Sequence, residues 1–185
     1  SMFYYKYPLL EETVPFEVLD NFPETGDLST QIGGDVIDPV KGIRFQIEGV
    51  EPRLFSKDGQ TLTAKLNVRA SVGALGTDGN GKYKGRNFFS ELLTWFNEEV
   101  YSSDWWKKQA RFPYRSFLKA LDFDDKNPPK VTDDFISSLK GREFIADIVK
   151  ASIQATTGEL NEKGKKIYTN TGDFKNELKN FKKVS

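Results

Sequence analysis

Thr61-Leu-Thr-Ala-Lys-Leu-Asn-Val-Arg-Ala-Ser-Val72 alternates polar and apolar side chains without a break. Leu62, Ala64, Leu66, Val68, Ala70 and Val72 fall on one side of an extended chain, and Thr61, Thr63, Lys65, Asn67, Arg69 and Ser71 on the other. Period two is the mark of a strand with one buried face. A slip of one residue would turn every apolar side chain toward water, so the register is well determined. Just upstream, Lys57-Asp-Gly-Gln60 supplies an Asp-Gly turn of the kind that closes tight hairpins. Before the turn, Ile43, Phe45 and Ile47 alternate with Arg44, Gln46 and Glu48. Together the two runs predict one long antiparallel hairpin.

Working outward, Gly73 to Gly85 is rich in glycine and reads as a loop. Arg86 to Trp95 reads as a further apolar strand or a short buried element. Residues 97–121 read as helical, with Asn97 or Ser103 as a cap, a break at Pro113, and Phe117, Leu118 and Leu121 on one face. A polar connector follows from Asp122, and Asp133 to Leu139 reads as a short helical turn. Gly141 opens a long strand to Thr157, Gly158 to Gly164 forms a hairpin loop, and Lys165 to Thr169 returns. Phe174, Leu178 and Phe181 share a face at helical spacing, so residues 173–185 are expected to form a short helix or tail. The aromatic run Phe3 to Tyr7 reads as an edge strand or an arm, and residues 8–40, rich in Pro, Gly and acidic side chains, read as a mostly irregular, partly docked extension.

The expected architecture is mainly β with a helical insert. It has an acidic N-terminal arm over 1–40, a domain over 41–172 with its insert at about 97–139, and the C-terminal segment 173–185. Long hairpins must close or stack to hide their edges. With a helix between the third and fourth strands, a small closed five-stranded barrel of the oligonucleotide/oligosaccharide-binding (OB) type fits, with a two-sheet sandwich as the competing solution.

The chain has no cysteine and no histidine. That excludes a disulfide framework, thiolate metal sites, and every Ser-His or Cys-His nucleophile arrangement. Carboxylates with a hard cation remain, but Asp122-Phe-Asp-Asp125 and Asp133-Asp134 sit in a polar connector and read as solvated acidic turns. Gly76 to Gly81, followed by Lys82, lacks the context of a phosphate cradle. The expectation is therefore a protein without catalytic activity, cofactor or metal. No apolar run has the roughly 20 residues that span a bilayer, and no leader pattern is seen, so a cytoplasmic location is expected. Ser1 ahead of Met2 is read as a remnant of tag removal.

The formal net charge is zero, but its distribution is uneven. Residues 1–40 hold one basic and eight acidic side chains; the remaining 145 hold 26 basic and 19 acidic. An arm of −7 thus precedes a body of +7, a hint of an electrostatic partner. Residues 82–119 combine eight basic and four acidic side chains with eleven aromatic ones, including all three tryptophans. Binding single-stranded nucleic acid needs cations that track phosphates and flat faces on which bases stack. The candidate residues are Lys82, Tyr83, Lys84, Arg86, Trp105, Trp106 and Lys107, with Arg44, Lys65 and Arg69 from the polar face of the hairpin. On a helix the adjacent rings of Trp105 and Trp106 point about 100° apart, so one can be buried while the other lies at a surface.

Lys41-Gly-Ile-Arg-Phe-Gln-Ile47, Leu62-Thr-Ala-Lys-Leu-Asn-Val68, Gly85-Arg-Asn-Phe-Phe89 and Leu139-Lys-Gly-Arg-Glu-Phe-Ile145 follow in an order that resembles a family of bacteriophage proteins. These are thought to include single-stranded DNA-binding proteins of replication and recombination. The resemblance runs from about residue 41 to 170 through short motifs. It implies an OB-like fold, single-stranded DNA as partner with replication or recombination proteins beside it, and the host cytoplasm as location; a homo-oligomer stays open. Such proteins often end in an acidic tail that recruits partners and competes with DNA. This chain ends in Lys182-Lys183 and carries its acidic run at the N-terminus, where the arm is expected to take that role. The alternative is a structural, assembly or adaptor protein whose Tyr4-Tyr5-Lys6-Tyr7 arm adds to a neighbour's sheet edge.

Overall fold

The computed structural model describes residues 35–73 and 81–185. Most of the acidic arm, including the aromatic run at its start, and the middle of the glycine-rich loop therefore lie outside the described residues. The elements in chain order are β1 (Val40–Lys57), β2 (Gln60–Val72), β3 (Asn87–Phe96), α1 (Asp104–Lys108), α2 (Phe112–Ala120), α3 (Asp133–Leu139), β4 (Glu143–Leu160) and β5 (Lys166–Lys182). The strands form one sheet in the order β3-β2-β1-β4-β5, antiparallel at every step.

The central hairpin forms as its alternation requires. Ile43, Phe45 and Ile47 are buried, and so are all six apolar residues of β2. Asp58 and Gly59 both take positive φ, 53° and 74°, the conformation that matches a two-residue turn to the strand twist. A bulge between Ile47 and Gly49 reverses the parity of β1. Beyond it Val50, Pro52 and Leu54 lie opposite the inward residues Val68, Leu66 and Ala64, while Glu51, Arg53 and Phe55 join the outer face. Pro52 is accommodated because β4 accompanies β1 only from Val40 to Gln46, which leaves one side of β1 open beyond that point.

Inside the curl of the sheet a set of aromatic rings packs among the aliphatic side chains of the core. Phe45 stacks on Phe144 at 5.4 Å and meets the edge of Phe88 at 5.8 Å. Phe117, from α2, lies edge-on to Phe144 and Phe181 at 5.7 and 5.5 Å, so α2 plugs the interior. Such edge-to-face pairs add to the area they bury. In α3, Thr132 caps the first turn by accepting from the Phe135 N–H at 3.0 Å, and Phe135 and Leu139 are buried.

Expectations at both ends of the chain need correction. Residues 173–182 are not helical; they belong to β5 and pair with β4. Asn176 and Leu178 point inward with strand alternation. The register then shifts, and Asn180 adopts φ 57°, a left-handed conformation that asparagine tolerates. The shift returns Phe181 to the same side as Leu178, so a bulged strand imitates a helical three-residue spacing. Asn180 Nδ2 donates to Asp147 Oδ2 at 2.8 Å, and Asp147 Oδ1 accepts from Gly42 N at 2.8 Å, tying β5, β4 and β1 together. The Asn180 hydrogen bond is the main cause that holds the Asp147 carboxyl below its ordinary range. The second correction concerns the arm boundary. Ile37 is already buried in the core. Its N–H donates to Asn176 Oδ1 at 3.0 Å, and Asn176 Nδ2 donates to the Ile37 carbonyl at 2.9 Å.

No ladder joins β3 to β5 among the described residues, so the sheet is open along that seam and a closed barrel is not formed. Both outer strands run in the same direction, since each is two antiparallel steps from β1. Beyond Ser152 and Phe174 the β4–β5 hairpin continues as a two-stranded ribbon, exposed on both faces. Among the described residues no helix is long and apolar enough to cross a membrane.

Candidate nucleic-acid interface

A groove of about 860 Å³ runs along the open seam. Its floor is the outer face of β1 to β3, built by the parity rules above: Phe55, Thr63, Lys65, Phe89, Glu91 and Leu93. One wall is the segment after β3, with Tyr101, Trp105, Trp106 and Phe112. The opposite wall is β5, with Lys175, Lys179 and, from the ribbon, Tyr168. Arg53 completes four cations against Glu91 and Glu177 in the lining.

The aromatic wall is an ordered cluster. Trp106 is half-buried, stacked on Tyr101 at 4.2 Å and tilted against Phe96 at 5.4 Å. Trp105 stands perpendicular to Trp106 at 5.3 Å. Trp105, Phe112 and Tyr168 are 55%, 64% and 58% exposed. Isolated apolar side chains at a surface are ordinary, but three large rings from three elements bordering one groove are an informative concentration. The cations hold their places through ion pairs along the sheet, Lys65 with Glu91 at 3.9 Å, Arg53 with Glu51 at 3.0 Å and Lys175 with Glu177 at 3.4 Å. The Lys65 and Lys175 pairs are partly exposed, contribute little stability and leave their ammonium groups within reach of a ligand, whereas the Arg53 side chain is largely buried. The buried Ser90 hydroxyl, on another lining residue, has no hydrogen-bond partner among the described residues.

Of the residues singled out from sequence, Lys65, Trp105 and Trp106 come together here. Lys107 is exposed beside them on α1. Arg69 is exposed on the outer face of β2, two pairs beyond Lys65. Arg44 lies on β1 and pairs with Glu143 of β4. Lys82, Tyr83, Lys84 and Arg86 precede β3, whereas the tryptophan cluster follows it, so the two groups are separated by the strand's length, about 30 Å. Tyr83 packs against the core with the Lys82 ammonium 5.2 Å from its ring centre. The Arg86 guanidinium lies over Phe88 at 5.6 Å and donates to the Asp35 carbonyl.

Sequence reasoning missed Phe55, Phe89, Leu93, Phe112, Tyr168, Lys175 and Lys179 as groove residues. One signal was present: Phe88 and Phe89 are neighbours in a strand, so one of them must face outward. The β5 lysines were hidden by the helical reading of that segment. The acidic connector behaves as a turn: Asp124 accepts from the Lys126 and Asn127 backbone N–H groups at 2.9 and 3.3 Å. Those bonds, with the Asn127 side chain, hold its carboxyl below the ordinary range. No protein-family model matches the chain, and no curated protein matches it.

Proposed function

We propose that the seam groove binds single-stranded DNA by base stacking and phosphate contacts, without strong sequence preference and without catalysis. The observation that carries this reading is the meeting of three exposed rings, Trp105, Phe112 and Tyr168, with a lysine-bearing strand in one groove. Each stacked base contributes roughly 1–3 kcal/mol. Four cations correspond to a slope of about −3 in log K against log salt for a single strand.

In the same reading the fold is an OB-like barrel left ajar. The order β3-β2-β1-β4-β5, with helices between β3 and β4, becomes such a barrel if β3 and β5 are joined. In barrels of that type the β2–β3 face and the loop between β4 and β5 hold the oligonucleotide. Here the β4–β5 connection is a long ribbon that brings Tyr168 to the groove. The sequence resemblance supports a setting in phage replication or recombination, in the host cytoplasm. A second reading, an assembly or adaptor protein, is favoured by the ribbon itself, because a two-stranded hairpin alone in water is marginally stable and gains from a partner.

The test is fluorescence anisotropy of a labelled oligo-dT strand, titrated with the full chain at two salt concentrations, with tryptophan emission followed in parallel. Binding that weakens with salt and quenches tryptophan supports the groove. No binding at low salt removes the nucleic-acid reading and leaves the adaptor one.

A further inference from the structure

On the other side of the first turn of α2 lies a second, smaller cavity of about 270 Å³, lined by Thr94, Arg111, Tyr114, Arg115, Asp125 and Lys126, with Pro128 at its rim. Its size is below the roughly 300–1,000 Å³ of clefts that take whole organic ligands, and it suits a small polar group. Three cations face one carboxylate, and that carboxylate, Asp125, is already turned to Arg115 at 3.5 Å. The Arg111 guanidinium lies over Phe96, 5.2 Å from the ring centre. The connector that supplies Lys126 is held by its hydrogen bond to Asp124.

The decisive observation is Tyr114. Its side chain is 2% exposed and lines this cavity, and its hydroxyl has no hydrogen-bond partner among the described residues. Thr94, the other hydroxyl in the lining, is committed to the Ala64 carbonyl at 3.1 Å. A buried hydroxyl without a partner is costly and calls for an explanation. Burial raises the phenol well above its ordinary titration range, so the group stays protonated and has a hydrogen to donate. A protonated donor on a residue that lines a cavity together with Arg111, Arg115 and Lys126 is complementary to an oxyanion, and arginine forks suit phosphate in particular. The nine-residue helix α2 begins at Phe112, so its positive end adds to the same field.

We infer that this cavity is a phosphate site in which the Tyr114 hydroxyl, Arg111, Arg115 and Lys126 hold the oxygens of a phosphate group. The phosphate belongs either to the backbone of a bound strand or to a free phosphorylated small molecule. The site stands independently of the groove reading, because its test needs no nucleic acid.

Thermal melts and calorimetric titration of the full chain with inorganic phosphate, against chloride at matched ionic strength, read the site directly. Phosphate is expected to raise the melting temperature beyond chloride. Tyr114→Phe is expected to melt no lower than the parent without ligand, since it removes only the unpartnered oxygen, yet to bind phosphate about tenfold more weakly. Arg115→Gln, at an exposed position, serves as the second variant and is expected to weaken phosphate by a similar or larger factor. Equal shifts with phosphate and chloride, or parental phosphate affinity in both variants, overturns the inference. An oligo-dT strand that phosphate displaces, and that the same variants weaken, identifies the strand backbone as the source. A strand indifferent to both, with phosphate still bound, identifies a free phosphorylated molecule. If oligo-dT does not bind at all while phosphate does, the groove reading falls and the phosphate site remains.

Discussion

Replacing Trp105 by alanine separates a binding role from a structural one. The ring is more than half exposed and stands perpendicular to Trp106, so its removal is expected to leave the fold intact. If a base stacks on it, the loss is about 1–3 kcal/mol, which is about 5- to 150-fold in Kd. The other two tryptophans sharpen the assay. Trp95 is buried in the core and Trp106 is half-buried between Tyr101 and Phe96, so strand-induced quenching should come chiefly from Trp105. The variant should therefore bind oligo-dT more weakly, lose most of the quenching amplitude, and unfold at the parental denaturant midpoint. Parental affinity with undiminished quenching refutes stacking on Trp105. A large drop in the denaturant midpoint refutes the assignment of the ring to the surface.

Lys175→Gln with Lys179→Gln is expected to flatten the slope of log K against log salt by about 1.4, at about 0.7 per cation on a single strand; an unchanged slope places the strand away from β5. Phe144→Ala removes a ring packed on Phe45, Phe117 and Phe181 and should cost about 3–5 kcal/mol in urea unfolding; a loss below 1 kcal/mol contradicts the core as described. Asp147→Ala deletes the acceptor shared by Gly42 and Asn180 and should cost about 1–2 kcal/mol at neutral pH. Because the folded carboxyl titrates below its unfolded value of about 4, the parent's advantage is complete above that pH and is lost as pH falls through the folded value. Parent and variant should thus converge in strongly acidic urea melts, and an advantage that grows with acidity contradicts the linkage. Deleting residues 2–34 removes most of the acidic arm while sparing Ile37 and its bonds to Asn176; affinity for oligo-dT at low salt should rise, and no change removes the arm from any competition with DNA.

The central hairpin was legible because burial, turn chemistry and period two coincide there. Ile43, Phe45 and Ile47, the Asp58-Gly59 turn, and β2 from Leu62 to Val72 all stand where alternation placed them. The helical insert was legible in part: Phe117, Leu118 and Leu121 are buried as their spacing required, but Pro113 stands in the first turn of α2 and breaks no helix, and residues 97–103 are not helical. The end of the chain was not, because a bulge at Asn180 adds one residue to β5, and Phe181 then repeats the face of Leu178 at a spacing that mimics a helix turn. The fit of Ile37 into the core was equally hidden. It depends on Asn176, 139 residues away, whose side-chain amide supplies both a donor and an acceptor to the backbone.

The site was legible in its chemistry but not in its assembly. Composition pointed to the stretch 82–119, and two of the exposed rings that border the groove, Trp105 and Phe112, lie there. What sequence proximity could not convey is that a ten-residue strand, β3, carries the chain about 30 Å between the two halves of that stretch. The cations nearest in sequence to the tryptophans are consequently not the only ones nearest in space. Lys175 and Lys179 arrive from β5, because the curl of the sheet brings its two outer strands to the same seam. The same geometry divides the labour of α2. Phe112 faces the groove, while Arg111, Tyr114 and Arg115 face the smaller cavity. A strand passing over the first turn of this helix would meet a ring for its base on one side and an oxyanion cradle for its phosphate on the other, so the two proposals make a joint demand: Trp105→Ala should weaken oligonucleotides without touching inorganic phosphate, whereas Tyr114→Phe should weaken phosphate whether or not a strand is present.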